Sequence, residues 1–325
     1  MTTPAPSGVL LDVNEYSVGF RTERGLAQVV DKVSFQLERG STLGIVGESG
    51  SGKSVLNRSL MGLISSNRQI EEGSALFDGE QLVGRDRQDF WGKRIGMIFQ
   101  DPMTSLNPVM RIGRQIFEPL KQHLNMNNDQ ATERAIELLT QVGIPEPAAK
   151  RRPHEYSGGQ CQRVSVARTL VLDPEIVICD EPVSALDVSV QAQILNMLED
   201  MKERYGITLV FISHDLSVVR NVSDRLAVMY LGKMCEIGDG DLIYAKPAHP
   251  YTQVLLAALP DPTNPHAGAA DALDSELPSP INPPSGCRFR TRCPYAQDIC
   301  AEEEPQVAQV GTGDQWVACH FPLTA

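Results

Sequence analysis

The 325-residue chain has no long apolar run. The longest, counting glycine, is the seven residues from Leu226 to Gly232, against about twenty for a membrane-spanning helix. It is therefore not expected to cross a bilayer by itself. Positive charge is also in short supply, with 29 Lys+Arg against 41 Asp+Glu and a net charge of −12, which argues against a nucleic-acid binder held by phosphate contacts. A local phosphate ligand is compatible with that balance. The N-terminal MTTPAPSGVLLDVNEY lacks the basic and apolar regions of a secretory signal, so a cytoplasmic location is expected. Disulfides are rare there, and the seven Cys need another role. No internal repeat is visible. At 42% hydrophobic and 22% charged, the composition excludes disordered and fibrous classes and suits a globular protein, at this length compatible with two domains.

Short runs rich in β-branched residues alternate with helix-like segments: VVDKVSFQL, TLGIV, SALFD, IGMIF, EIVICD, ITLVFIS, RLAVMYL and KMCEIG read as strands. The pattern is α/β. Between IGMIF and EIVICD, residues 100–172 have helical periodicity throughout, which predicts a helical insertion in the α/β core. Residues 260–284 hold seven prolines and read as an extended linker or wrapping arm. Residues 285–325 form a small Cys-containing module. The last 65 residues carry nine acidic and three basic side chains, so a fifth of the chain holds half of the net charge.

Gly47-Glu48-Ser49-Gly50-Ser51-Gly52-Lys53-Ser54 matches a phosphate-binding loop, and it lies between a strand and a helical segment as that motif requires. Its glycines let backbone N–H groups turn toward phosphate oxygens, and the following helix presents its positive end. Lys53 is expected to reach the β and γ phosphates, and Ser54 to ligate Mg²⁺. Downstream, EIVICD runs into Asp180-Glu181. A buried strand ending in an acid places Asp180 as a Mg²⁺ partner, and Glu181 to polarise an attacking water. Alone, such an Asp-Glu pair reads equally well as a strand capped by surface acids. The upstream loop is what gives it weight.

Ser157-Gly158-Gly159-Gln160, followed by the helical run CQRVSVARTLVL, resembles the signature motif of ATP-binding cassette (ABC) ATPases. Gln100 after IGMIF is similar to that family's Q-loop glutamine, Ser184-Ala185-Leu186-Asp187 to its D-loop, and His214 after LVFIS to its switch histidine. The resemblance covers roughly residues 10–259. It implies a P-loop NTPase cassette with a RecA-like core, an antiparallel β subdomain and an α-helical signature subdomain. It further implies head-to-tail pairing with a second cassette, a heterodimer or a homodimer, so that Ser157 and the Gly159 N–H reach the γ-phosphate bound by the partner. Gln160 belongs to the same segment, and Asp187 would couple the two sites. By the same resemblance His214 contacts the γ-phosphate, and Gln100 senses Mg²⁺ and an attached transmembrane subunit. The family stacks an aromatic on adenine, for which Phe20 is the first choice and Tyr16 the second. The departures, Tyr156 and Cys161 flanking the motif, leave the phosphate chemistry untouched.

Finer matches, GESGSGKS, DPMTSLNP, RRPHEYSGGQ, ICDEPVSALDVSVQAQ, HPYTQVLLAALP and ELPSPINPPSGCRFRTRCP, resemble the ATP-binding subunits of oligopeptide and dipeptide importers. That implies an ATPase on the cytoplasmic face of the cell membrane, held by two permease subunits and served indirectly by an extracytoplasmic solute-binding protein, with no nucleic-acid partner. Relatives carrying nickel complexes or glutathione, and a soluble cassette outside transport, are the alternatives. A subunit without ATPase activity is a further one, against which the intact Glu181 and His214 count.

Cys287, Cys293, Cys300 and Cys319 are spaced C-x₅-C-x₆-C-x₁₈-C. Structural zinc usually uses a tight pair two to four residues apart, which is absent, and the looser spacing suits an iron–sulfur cluster. Reduced thiols are the third reading. Importer relatives include proteins with a [4Fe–4S] cluster at these four positions, which is what the resemblance implies here. His320, beside Cys319, is a substitute ligand or a bystander, with the bystander reading preferred, and Cys161, Cys179 and Cys235 are core thiols.

Overall fold

The computed structural model describes residues 8–64, 69–84, 90–259 and 277–323. The chain divides into two compact units, one Arg87–Val210 and the other Gly8–Asp86 with Phe211–Ala325. The second unit begins with β1 (Val9–Thr22), β2 (Gly25–Glu38), β3 (Thr42–Val46), α1 (Lys53–Leu60), β4 (Gln69–Phe77) and β5 (Glu80–Gln81). The first holds β6 (Ile95–Ile98), α2 (Pro102–Ser105), α3 (Ile112–Leu124), α4 (Asn128–Gln141), α5 (Gly158–Leu170), β7 (Ile176–Asp180) and α6 (Val188–Tyr205). Strand β8 (Thr208–Ile212) carries the chain back into the second unit. There follow α7 (Leu216–Arg220), β9 (Arg225–Tyr230), β10 (Lys233–Asp239), α8 (Gly240–Ala245), α9 (Pro250–Ala257), α10 (Ile299–Glu302), β11 (Val307–Gln309) and β12 (Gln315–Ala318).

In the second unit an antiparallel sheet has the order β2-β1-β4-β5, the expected β subdomain. The end of β2 shows how sequence dictates its face: Val33, Phe35 and Leu37 are buried while Ser34, Gln36 and Glu38 are exposed, the period-two signature of a sheet with one solvated side. Strand β3, TLGIV, is buried at every position, as befits a parallel strand covered on both faces. It pairs in parallel with β9, which pairs antiparallel with β10. β10 in turn takes β12 of the C-terminal module as its antiparallel neighbour, and β11 pairs with β12.

In the first unit β6 and β7 are parallel, and β7 too is fully buried. Helices α2 to α5 realise the predicted helical insertion, but not throughout. Residues 142–157 hold only two short 3₁₀ turns, Glu146–Lys150 and Pro153–Glu155, because Pro145, Pro147 and Pro153 deny an α-helix its N–H donors. Of the predicted linker, residues 260–276 lie outside the described residues. Its remainder is laid along the β1–β2 hairpin, where Gln28 N–H donates to the Pro280 carbonyl at 3.2 Å. Among the described residues no helix is long and apolar enough to cross a membrane.

Candidate nucleotide site

The phosphate loop leaves the C-terminal end of β3 and enters α1. Gly47 and Gly52 have φ of 150° and 102°, and a Cβ on Gly52 would stand 2.5 Å from the Val29 carbonyl oxygen. Only glycine satisfies both the backbone angle and the space there. The N-cap of α1 is Gly52, with no side chain capping the first turn, and the positive end of a helix favours an anion. The Lys53 ammonium is folded into the loop, 4% exposed. It donates to the carbonyls of Gly47 at 2.7 Å and Glu48 at 2.9 Å and to Ser51 Oγ at 3.2 Å. Ser54 is half-buried one residue on.

The loop is also held from outside by residues of two importer-like blocks to which their sequence assigns no role at the phosphates. Tyr251 Oη accepts the Glu48 N–H at 2.8 Å. The Arg292 guanidinium donates through Nη1 to both Glu48 carboxylate oxygens, at 3.0 and 3.1 Å. Leu277, from the described end of the linker, comes within 3.6 Å of where a Cβ on Gly50 would be. His214 is exposed just beyond β8, and the preceding Ser213 N–H donates to the Ile45 carbonyl of β3 at 3.3 Å. It thus emerges beside the strand end from which the loop departs. Of the two adenine candidates, Tyr16 is fully buried in the core and is removed from consideration. Phe20, paired with Ala27 of β2 and Gln69 of β4, keeps a half-exposed ring.

The Asp180-Glu181 pair belongs to the other unit. Asp180 ends β7 and is 1% exposed. Glu181 follows with φ of 49°, a left-handed backbone that non-glycine residues rarely adopt and that turns its side chain away from the strand. Gln100, after β6, donates through Nε2 to Glu181 Oε2 at 3.0 Å, so two residues 81 apart in sequence meet. Ser157 caps α5, its Oγ accepting the Gln160 N–H at 3.3 Å while Gln160 Oε1 accepts the Ser157 N–H at 3.0 Å. Gln160 therefore completes a reciprocal cap. Asp187 is exposed as the N-cap of α6, with no side-chain cap bond.

Cys287, Cys293, Cys300 and Cys319 line one cavity, with His249 and His320. Burial first, opposed by the Phe321 N–H, and then the neighbouring Cys287, Cys293 and Cys300, push the Cys319 thiol up to about 11. Among the described residues, however, no group of three or more His, Cys, Asp or Glu side chains is placed to hold a metal ion. The expectation of a formed metal site is not met. Zinc would need four sulfurs converging at about 2.3 Å on one point. A group of several irons is larger, so its ligands stand further apart, and soft thiolate donors around a shared cavity suit it. His320 Nε2 pairs with the Glu303 carbonyl at 3.0 Å. Cys161, Cys179 and Cys235 are buried as anticipated.

Residues 30–184 match the ABC transporter family model, and residues 235–300 the model of the oligopeptide/dipeptide transporter C-terminal region. The chain is 45% identical over 311 residues to the oligopeptide transport ATP-binding protein OppF of Escherichia coli, covering 91% of this chain and 92% of that one. It is 45% identical to the putative oligopeptide transport ATP-binding protein YkfD of Bacillus subtilis, with 96% and 95% covered. Among solved structures it is similar to the ATP-binding cassette MJ0796 in a dimeric post-hydrolysis state bound to ADP and Pi, with TM-score 0.62, 26% identity, and 70% and 98% of the two chains covered. It is also similar to cbiO1 of Clostridium perfringens, part of the transporter complex cbiONQ, with TM-score 0.63, 26% identity, and 73% and 91% covered.

Proposed function

We propose that this chain, which belongs to the oligopeptide transport ATP-binding proteins of the ABC transporter family, hydrolyses ATP to drive import of peptides through permease subunits at the cytoplasmic face of the membrane. One observation carries the hydrolytic part: the Glu181 carboxylate is held at 3.0 Å by Gln100 on a left-handed backbone directly after buried Asp180. In this reading Glu181 takes the proton of the attacking water and Gln100 orients that carboxylate. The Gly47–Ser54 loop binds the phosphates through N–H groups, Lys53 and the α1 end. By the family resemblance Ser54, Asp180 and Gln100 would serve Mg²⁺, and the ion would neutralise developing phosphate charge. His214 fixes the γ-phosphate, and Phe20 stacks on adenine.

Ser157, Gly158 and Gly159, exposed or half-exposed at the positive end of α5, face the γ-phosphate of a second cassette, and Asp187 lies in the same interface. The dimeric MJ0796 cassette supports that pairing by likeness. Permease contact falls to the segment after Gln100, where Met103 and Val109 are exposed, the latter 76%. Apolar side chains left in water beside a catalytic residue fit a docking face.

For the four-cysteine cavity the reading is a [4Fe–4S] cluster, supported by the loose cysteine spacing and the shared cavity. Detergent extraction of native membranes under anaerobic conditions, followed by identification of the chains that co-purify, tests both parts. Two permease chains and a second cassette are expected, with about four irons per chain of this protein. A chain recovered alone would overturn the transport reading, and a colourless, iron-free preparation the cluster.

A further inference from the structure

The phosphate loop contains a carboxylate, Glu48, beside groups whose task is to attract anions. Like charge at such close range opposes phosphate strongly once water is excluded. The C-terminal module supplies the counter-charge. Arg292 is 4% exposed and spans 244 residues of sequence to reach Glu48, with its guanidinium 5.7 Å from the Tyr230 ring centre. Its Nε and Nη2 are buried and make no hydrogen bond among the described residues, so its charge is answered there by Glu48. A second route joins the same module to the same residue. Phe289, 1% exposed, packs at 5.2 Å ring-centre distance on both Tyr230 and Tyr251, and it is Tyr251 that accepts the Glu48 N–H.

We propose that Arg292 is a positioning residue for nucleotide binding: through the ion pair with Glu48, the C-terminal module fixes the phosphate loop and cancels the one negative charge built into it. The module is then part of the nucleotide site. Arg292 acts only through Glu48, and that dependence distinguishes positioning from general support of the fold.

The test is equilibrium titration of the full-length protein with adenosine, ADP and MgATP, for the parent and for Arg292→Met, Arg292→Lys, Glu48→Gln and the double variant Glu48→Gln/Arg292→Met. Arg292→Met should weaken MgATP binding about 10- to 100-fold and ADP binding less, and leave adenosine within about twofold, because repulsion by an uncancelled carboxylate scales with phosphate charge. Arg292→Lys should stay within about threefold of the parent. With Glu48 neutral, adding Arg292→Met should change MgATP affinity less than about threefold. Should Arg292→Met fail to fold, the double variant, which leaves no unpaired buried charge, still decides. MgATP affinity within about threefold of Glu48→Gln supports the proposal. A loss of tenfold or more in the double variant, an equal loss for all three ligands, or unchanged MgATP binding by Arg292→Met overturns it.

Discussion

Glu181 combines a strained backbone with a tethered side chain. Holding a non-glycine residue at φ 49° costs about 1–2 kcal/mol, and the Gln100 contact on its carboxylate fixes where that side chain points. Replacing Glu181 by Gln keeps the shape and removes the proposed base. Steady-state ATP turnover should fall about 10²- to 10⁴-fold, with the Kd for MgATP within about threefold of the parent by titration. Lys53→Ala should reverse the pattern, weakening MgATP binding at least tenfold because the ammonium is the loop's own cation. That the motif glycines, Lys53, Asp180, Glu181 and His214 follow the ends of short buried strands was legible in the sequence, since the apolar runs TLGIV, EIVICD and LVFIS lead directly into them. The link of Arg292 to the loop was not, because it lies 244 residues from Glu48 and the block that holds it, ELPSPINPPSGCRFRTRCP, carries no mark of its partner. The available signal was compositional: Arg288, Arg290 and Arg292 are the only basic residues among the last 65, and two of the three pair with acids in the β subdomain and the loop, Arg288 with Asp31 and Arg292 with Glu48.

Helix α5 shows how a segment read for its chemistry also obeys packing. A Cβ on Gly159 would come 2.6 Å from Val190 Cγ1 of α6, whereas one on Gly158 would meet nothing nearer than Leu186 Cδ2 at 3.7 Å. Gly159→Ala should therefore destabilise the protein by about 1–3 kcal/mol through overpacking. Gly158→Ala should stay within about 0.5 kcal/mol, and chemical denaturation of both variants checks the difference. Long strands with strict alternation, such as the end of β2, and short buried runs such as β3 and β7 were readable from hydrophobic pattern alone. The three- and four-residue strands β11 and β12 were not, since so few residues carry no period and their pairing with β10 is decided by distant sequence. The continuous helical reading of residues 100–172 overrode the prolines at 145, 147 and 153, which proved the better guide.

For the whole molecule, a net charge of −12 coexists with an anion site because the phosphate groups meet local donors at bonding distance, while distant surface charge is screened within about 8 Å at physiological salt. The module that looked like an appendage is built into the second unit. Its Gln315 side chain donates to buried Glu236 at 2.7 Å, the same carboxylate that accepts the Ala248 and His249 N–H groups, and β12 covers the open side of β10. The 244 residues between Glu48 and Arg292 also give the molecule a chronology. At about 5–20 residues per second of synthesis, the loop waits on the order of 10–50 seconds on the ribosome before the arginine that pairs with it exists. A chain released early carries the nucleotide motif with an unanswered Glu48 and an uncovered β10, so an incomplete product differs from a finished one at the ATP site itself.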